Sequence, residues 1–121
     1  MKKRILVIED EISIAELLTL VFTREGYEVS TCQNGREAIA MMKKIHPHLV
    51  ILDIMLPGLD GSSILKIVSE DETLESTPII ITSALGEAER LFKPYPQVKA
   101  FASKPFVLTR LISLVKHFIG D

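Results

Sequence analysis

Four apolar runs in this chain each end in residues that can do chemistry. Ile5-Leu-Val-Ile closes on Glu9 and Asp10, His48-Leu-Val-Ile-Leu on Asp53, Pro78-Ile-Ile-Ile-Thr on Ser83, and Ala100-Phe-Ala-Ser on Lys104. In an open parallel sheet, ligands bind outside the carboxyl ends of the strands. If these runs are neighbouring strands, three carboxylates, a hydroxyl and an ammonium converge on one point. Carboxylates that close repel one another and stay ionised together only around a cation. An all-oxygen ligand set selects Mg²⁺, which keeps several waters and takes one or two carboxylates plus a phosphate. A carboxylate beside such a metal can attack a phosphoryl group and become an acyl phosphate. That transfer needs little beyond in-line positioning and charge neutralisation. Lys104 would supply positive charge on the side opposite the metal, and Ser83 a hydrogen bond to a phosphoryl oxygen.

The segment after Asp53 reads Ile-Met55-Leu-Pro57-Gly58-Leu-Asp60-Gly61. Pro then Gly suits the two central positions of a type II turn. Such a turn brings backbone over the mouth of the site, where a carbonyl near Met55 can complete the metal's coordination. Asp60 or Ser62 can then cap the next helix.

The elements that must hold these groups follow from periodicity. Ile- and Val-rich tetrads read as strands buried on both faces, as in parallel sheets. Between them, residues 12–25 place Ile14, Leu17, Leu18, Val21 and Phe22 at helical spacing, with Gly26 as a stop. Val29 to Cys32 is a short strand. Arg36 to Ile45 is a second helix, ended by His46-Pro47, with Met41 and Met42 as core filler. Residues 62–69 carry Ile64, Leu65 and Val68, and Val107 to Ile119 carries Leu108, Leu111, Ile112 and Val115. A fourth helical slot, Gly86 to Lys93, is cut short by Pro94 and Pro96. Strand and helix alternate throughout, which predicts a doubly wound α/β fold with five parallel strands and helices on both faces, the fourth helix short or irregular.

Bulk properties agree with one domain over residues 1–121, and the chain has no run approaching the ~20 apolar residues of a membrane span. With 14 basic and 16 acidic residues, formal net charge −2, composition gives no reason to expect nucleic acid as a partner. The lone Cys32 suits a reducing cytosol as a small buried hydrophobe. The basic start Met-Lys-Lys-Arg is followed by an apolar run too short for a signal core, so a cytoplasmic location without membrane insertion is expected.

Taken in order, Glu9-Asp10, Asp53, Pro57-Gly58-x-Asp60-Gly61, Ser83-Ala84 and Lys104-Pro105-Phe106 resemble the receiver domain of bacterial two-component response regulators, from the first strand to the last helix. The resemblance implies a flavodoxin-like sheet of strand order 2-1-3-4-5. It implies that Asp53 accepts a phosphoryl group from a sensor histidine kinase or a histidine phosphotransfer protein. Asp10 would then bind Mg²⁺ directly with Asp53 and the Met55 carbonyl, and Glu9 through water. Lys104 would contact the phosphate, and Ser83 and Phe101 would switch the face built from the fourth helix, the last strand and the last helix toward a downstream output protein or domain. It also implies a cis peptide between Lys104 and Pro105.

Some residues depart from that pattern. The approach to the last strand, Pro94-Tyr-Pro-Gln-Val-Lys-Ala, replaces the family's usual segment, so the dimerisation of winged-helix relatives is not carried over. Leu91 to Gly120 contains no acid but holds Lys93, Lys99, Lys104, Arg110 and Lys116; scattered solvated lysines account for it better than an electropositive docking face does. His46 and His48 lack further ligands at metal-binding spacing.

Two other functions compete. A phosphorylation-independent interaction module on the same fold would need none of Asp10, Asp53, Ser83 and Lys104, all of which are present. A flavin carrier would need a glycine-rich phosphate loop after the first strand, where Glu9-Asp-Glu-Ile-Ser13 is acidic and glycine-free. Met55 stands where many receivers carry a polar group near the path of the attacking water. Phospho-Asp53 is therefore expected to hydrolyse slowly; a half-life of seconds, measured without a phosphatase, would contradict this.

Overall fold

A computed structural model describes residues 2–54, 61–83 and 95–120. The Met55 carbonyl, the Pro57-Gly58 turn, an Asp60 cap and the Gly86–Lys93 helix lie outside the described residues. Within them the chain alternates β1 (Arg4–Ile8), α1 (Ile12–Arg24), β2 (Glu28–Cys32), α2 (Gly35–Ile45), β3 (Leu49–Asp53), α3 (Gly61–Glu70), β4 (Ile79–Ser83), β5 (Val98–Ser103) and α4 (Leu108–Ile119).

All strand pairs are parallel and the sheet order is β2-β1-β3-β4-β5. The expected topology is therefore present. Ile5 to Ile8, Leu49 to Leu52 and Ile79 to Ile81 are at most 1% exposed, as strands covered on both faces must be. Alternate residues feed two cores. Leu6, Ile8, Val50, Leu52, Ile79 and Ile81 pack with α2 and α3 on one face. Ile5, Val7, Leu49, Ile51 and Ile80 pack with α1 and α4 on the other.

Helix boundaries fall where local chemistry puts them. Asn34 caps α2, its side-chain oxygen accepting the Glu37 N–H at 3.0 Å. Gly26 follows α1 at φ 96°, a conformation glycine adopts without penalty. Ser62 stands inside the first turn of α3, not at its cap. The expected core face of α1 needs one correction: Leu17 is 41% exposed, and Ala15, Leu18 and Phe22 make the buried stripe. With 3.6 residues per turn, Leu17 lies a full residue round the helix from that stripe.

The amino ends of the strands are tied by a cluster that sequence patterning did not reveal. The Arg4 guanidinium donates to the carbonyls of Ile45 at 2.9 Å and His46 at 2.8 Å, closing the end of α2. The Arg4 backbone N–H donates to His48 Nδ1 at 2.9 Å. A protonated Nδ1 cannot accept that bond. Burial, with Arg4 and Lys3 nearby, holds the His48 pKa below its usual 6.5. Since the folded value lies below the unfolded one, the contribution is full above ~6.5 and is lost as pH falls. His48→Asn, which keeps an acceptor that does not titrate, is expected to lose less thermal stability than the parent on acidification below ~6.5. Parallel melting curves across that range would refute the assignment.

Candidate functional site

Strand register determines what meets at the carboxyl end of the sheet. Ile8 pairs with Leu52 and Asp53 with Thr82, so Glu9, Asp53 and Ser83 emerge at nearly one level on β1, β3 and β4. Ser83 pairs with Ser103, which delivers Lys104 one residue beyond. The Lys104 N–H donates to the Ser83 carbonyl at 2.9 Å, and the Lys104–Pro105 peptide is cis, as expected.

Three sequence-predicted ligands come together. One carboxylate oxygen from each of Glu9, Asp10 and Asp53 lies within 4.8 Å of the others. Glu9 is 2% exposed and Asp53 5%, while Asp10 faces solvent. Lys104 reaches both buried acids. Its ammonium donates to Asp53 Oδ2 at 2.9 Å and meets Glu9 Oε1 at 2.7 Å. It bridges the two buried acids. One ammonium against three carboxylates leaves excess negative charge, and the donors are all hard oxygens; the residues fit a divalent cation such as Mg²⁺. Ser83 is buried at its strand end. Phe101 pairs with Ile81 on β5 and packs half-buried against the core under α2 and α3.

Burial raises the Glu9 carboxyl from 4.5 to about 7, with Asp53 adding to the shift; Lys104 and the Glu11 N–H, which donates to Glu9 Oε2 at 3.2 Å, pull it back. For Lys104, burial works to lower the pKa, but its bonds to Glu9 and Asp53 outweigh that and raise it.

Gly61 is a positioning residue whose reason the sequence did not disclose. A Cβ there would sit 2.8 Å from the Ile54 Cα, a backbone atom next to Asp53 that cannot yield cheaply. The Gly61 N–H also donates to the Ile54 carbonyl at 3.3 Å. Glycine thus lets α3 start directly against the chain leaving the site.

Residues 5–116 match the family described as response regulator receiver domain. The chain belongs to that family. As a response regulator receiver it is a component of two-component signalling. It is 31% identical over 124 aligned residues to the polar-differentiation response regulator DivK of Brucella ovis, covering 100% of this chain and 99% of that one. It is 39% identical to the probable transcriptional regulator ycf27 of Cyanophora paradoxa, with 98% of the chain aligned to 48% of that protein; the receiver spans about half of ycf27. Among solved structures it resembles a putative response regulator from Chloroflexus aurantiacus, at 28% identity, TM-score 0.92 and full coverage of both chains. It also resembles the chemotaxis response regulator CheY4 of Vibrio cholerae, at 26% identity, TM-score 0.89, covering 98% and 99% of the two chains.

The Glu9 shift gives the receiver a metal-free pH signature. A carboxyl raised on folding contributes stability below its unfolded value of 4.5 that is lost as pH rises toward about 7. In chelator, Glu9→Gln is therefore expected to gain thermal stability relative to the parent across that window. A difference that does not change with pH would contradict the shift.

Proposed function

We propose that this receiver accepts a phosphoryl group on Asp53 from a phosphohistidine of a sensor histidine kinase or histidine phosphotransfer protein, with Mg²⁺ as cofactor. The supporting observation is the acidic trio of Glu9, Asp10 and Asp53 with Lys104 bonded to Asp53. Asp10 and Asp53 would hold the cation directly and Glu9 through water, with the Met55 carbonyl, outside the described residues, as a further ligand. Bound Mg²⁺ supplies charge neutralisation at the phosphoryl oxygens.

The chain's own groups do the rest. An Asp53 carboxylate oxygen attacks phosphorus in line, the bond from phosphorus to the donor nitrogen breaks, and the donor imidazole leaves with the electron pair. Burial strips water from Asp53 and strengthens each charge interaction around it. Lys104 already bonds an Asp53 oxygen, so its ammonium is placed to follow the charge as it moves onto the phosphoryl group. Ser83 donates its hydroxyl to a phosphoryl oxygen. Drawing that hydroxyl in, with Phe101 rotating behind it, remodels the face formed by the fourth helical slot, β5 and α4, which a downstream output protein or domain reads. Receivers are not classical enzymes, and this one assists only its own phosphorylation and dephosphorylation.

Residues 1–121 act as one such unit, in the cytoplasm, without direct contact to nucleic acid and without membrane insertion. Among the described residues, no helix is long and apolar enough to cross a membrane.

Incubation with Mg²⁺ and acetyl phosphate, followed by intact mass measurement, tests this reading. One added phosphoryl group is expected, abolished by Asp53→Asn and strongly slowed by chelator. No gain for the parent chain, or an equal gain for Asp53→Asn, would overturn it and leave a phosphorylation-independent interaction module.

A further inference from the structure

Two strands bound the sheet, and they are built differently. On β5 the register slips between Ile79 and Ile80, which pair with Val98 and Ala100 and leave exposed Lys99 over. A bulge and a lysine are devices that blunt an open edge. β2 has neither. Glu28-Val-Ser-Thr-Cys32 contains no proline or lysine and pairs with β1 residue for residue.

The register also fixes which backbone groups face outward. The Glu28 N–H donates to the Lys3 carbonyl, and the Cys32 carbonyl accepts the Glu9 N–H. Residues 28, 30 and 32 therefore bond toward β1. In a parallel ladder, the N–H and C=O groups of Val29 and Thr31 then point to the open edge. Beside that edge α1 leaves a groove of about 490 Å³, lined by Ile12, Glu16, Leu20 and Thr23 of the helix and Thr31 and Gln33 of the strand end. Ile12 is 57% exposed and Leu20 51%. Glu16 is the only charged residue in the lining.

We infer that β2 is a self-association edge, on which β2 of a second copy adds antiparallel across a two-fold axis centred on Ser30. Val29 and Thr31 of each copy then exchange their outward N–H and C=O groups with Thr31 and Val29 of the other. Both are β-branched, a side-chain class enriched in strands. The strand's one charge never meets itself, because Glu28 falls opposite Cys32 of the second copy. The two-fold operation carries the α1 flank with Ile12 and Leu20 to the seam from both sides, so the exposed aliphatic groups lose water together. These features make the edge self-complementary, which is the argument for a second copy over an unrelated strand. A seam of one short strand and two aliphatic side chains per copy belongs to the small, weak class of interfaces, so dissociation in the micromolar-to-millimolar range is expected.

Sedimentation equilibrium of the full chain from micromolar to millimolar concentration tests this, with amide hydrogen exchange as a second readout. The average mass should climb from the 13.5 kDa of one chain toward twice that value. The Val29 and Thr31 amides should exchange more slowly as concentration rises. Thr31→Lys and Leu20→Lys, both at exposed positions, should each keep the mass at one chain, while Leu17→Lys, on α1 but not in the groove lining, should leave association intact. A single-chain mass throughout, association unaffected by Thr31→Lys and Leu20→Lys, or unchanged exchange at Val29 and Thr31 would overturn the inference. Should Thr31→Lys fail to fold, Leu20→Lys and the exchange data still decide.

Discussion

Like charges held within a few ångströms govern this molecule. Two unit charges at 4 Å interact by about 4 kcal/mol at the effective dielectric of a protein surface. That is a sizeable part of the ~5–15 kcal/mol by which a domain is stable. Glu9, Asp10 and Asp53 are crowded to within 4.8 Å, and two of them are almost sealed from water. Lys104 relieves the pair it touches, Glu9 and Asp53. The remaining excess is held in place by the sheet, because register alone dictates where β1, β3 and β5 end. An arrangement of hard oxygens that disfavours itself without a cation is suited to take one.

Stability correspondingly comes from elsewhere. The three central strands are buried on both faces by aliphatic side chains. The ties between distant elements concentrate at the opposite end of the strands. There Arg4 closes α2, Tyr27 donates to the Gly120 carbonyl, and Lys116 pairs with Glu25 at 2.7 Å, joining α4 to the end of α1. One end of the sheet is anchored and the other is left with unbalanced charge. This division is what a domain needs if its reactive end is to respond to ligand while its core stays fixed.

Most of this was legible in the sequence, for identifiable reasons. Uninterrupted Ile-Val-Leu tetrads report burial on two faces, so the parallel sheet and its polar strand ends could be read directly. Glu9, Asp10, Asp53, Ser83 and Lys104 all fall at the expected ends. What periodicity could not supply was contact. Leu17 fits a helical apolar pattern yet faces out, since spacing does not say how wide the buried stripe is. The bridge from Lys104 to both buried acids depends on side-chain reach from the end of β5 across to β3 and β1. Gly61 stands in sequence only as the last residue of the Pro57-Gly58-x-Asp60-Gly61 motif, whereas its close approach to Ile54 appears only once α3 is packed. The Arg4–His48 cluster joins residues 44 positions apart and leaves no local trace.

Charge crowding among Glu9, Asp10 and Asp53 is what a divalent cation would relieve. Thermal unfolding of the parent chain and Asp10→Asn, each with and without millimolar Mg²⁺, tests it most directly. The parent should melt higher with Mg²⁺; Asp10→Asn should begin at or above the metal-free parent and respond little. A parent chain indifferent to Mg²⁺, or an Asp10→Asn chain that gains as much from it as the parent does, would contradict the account.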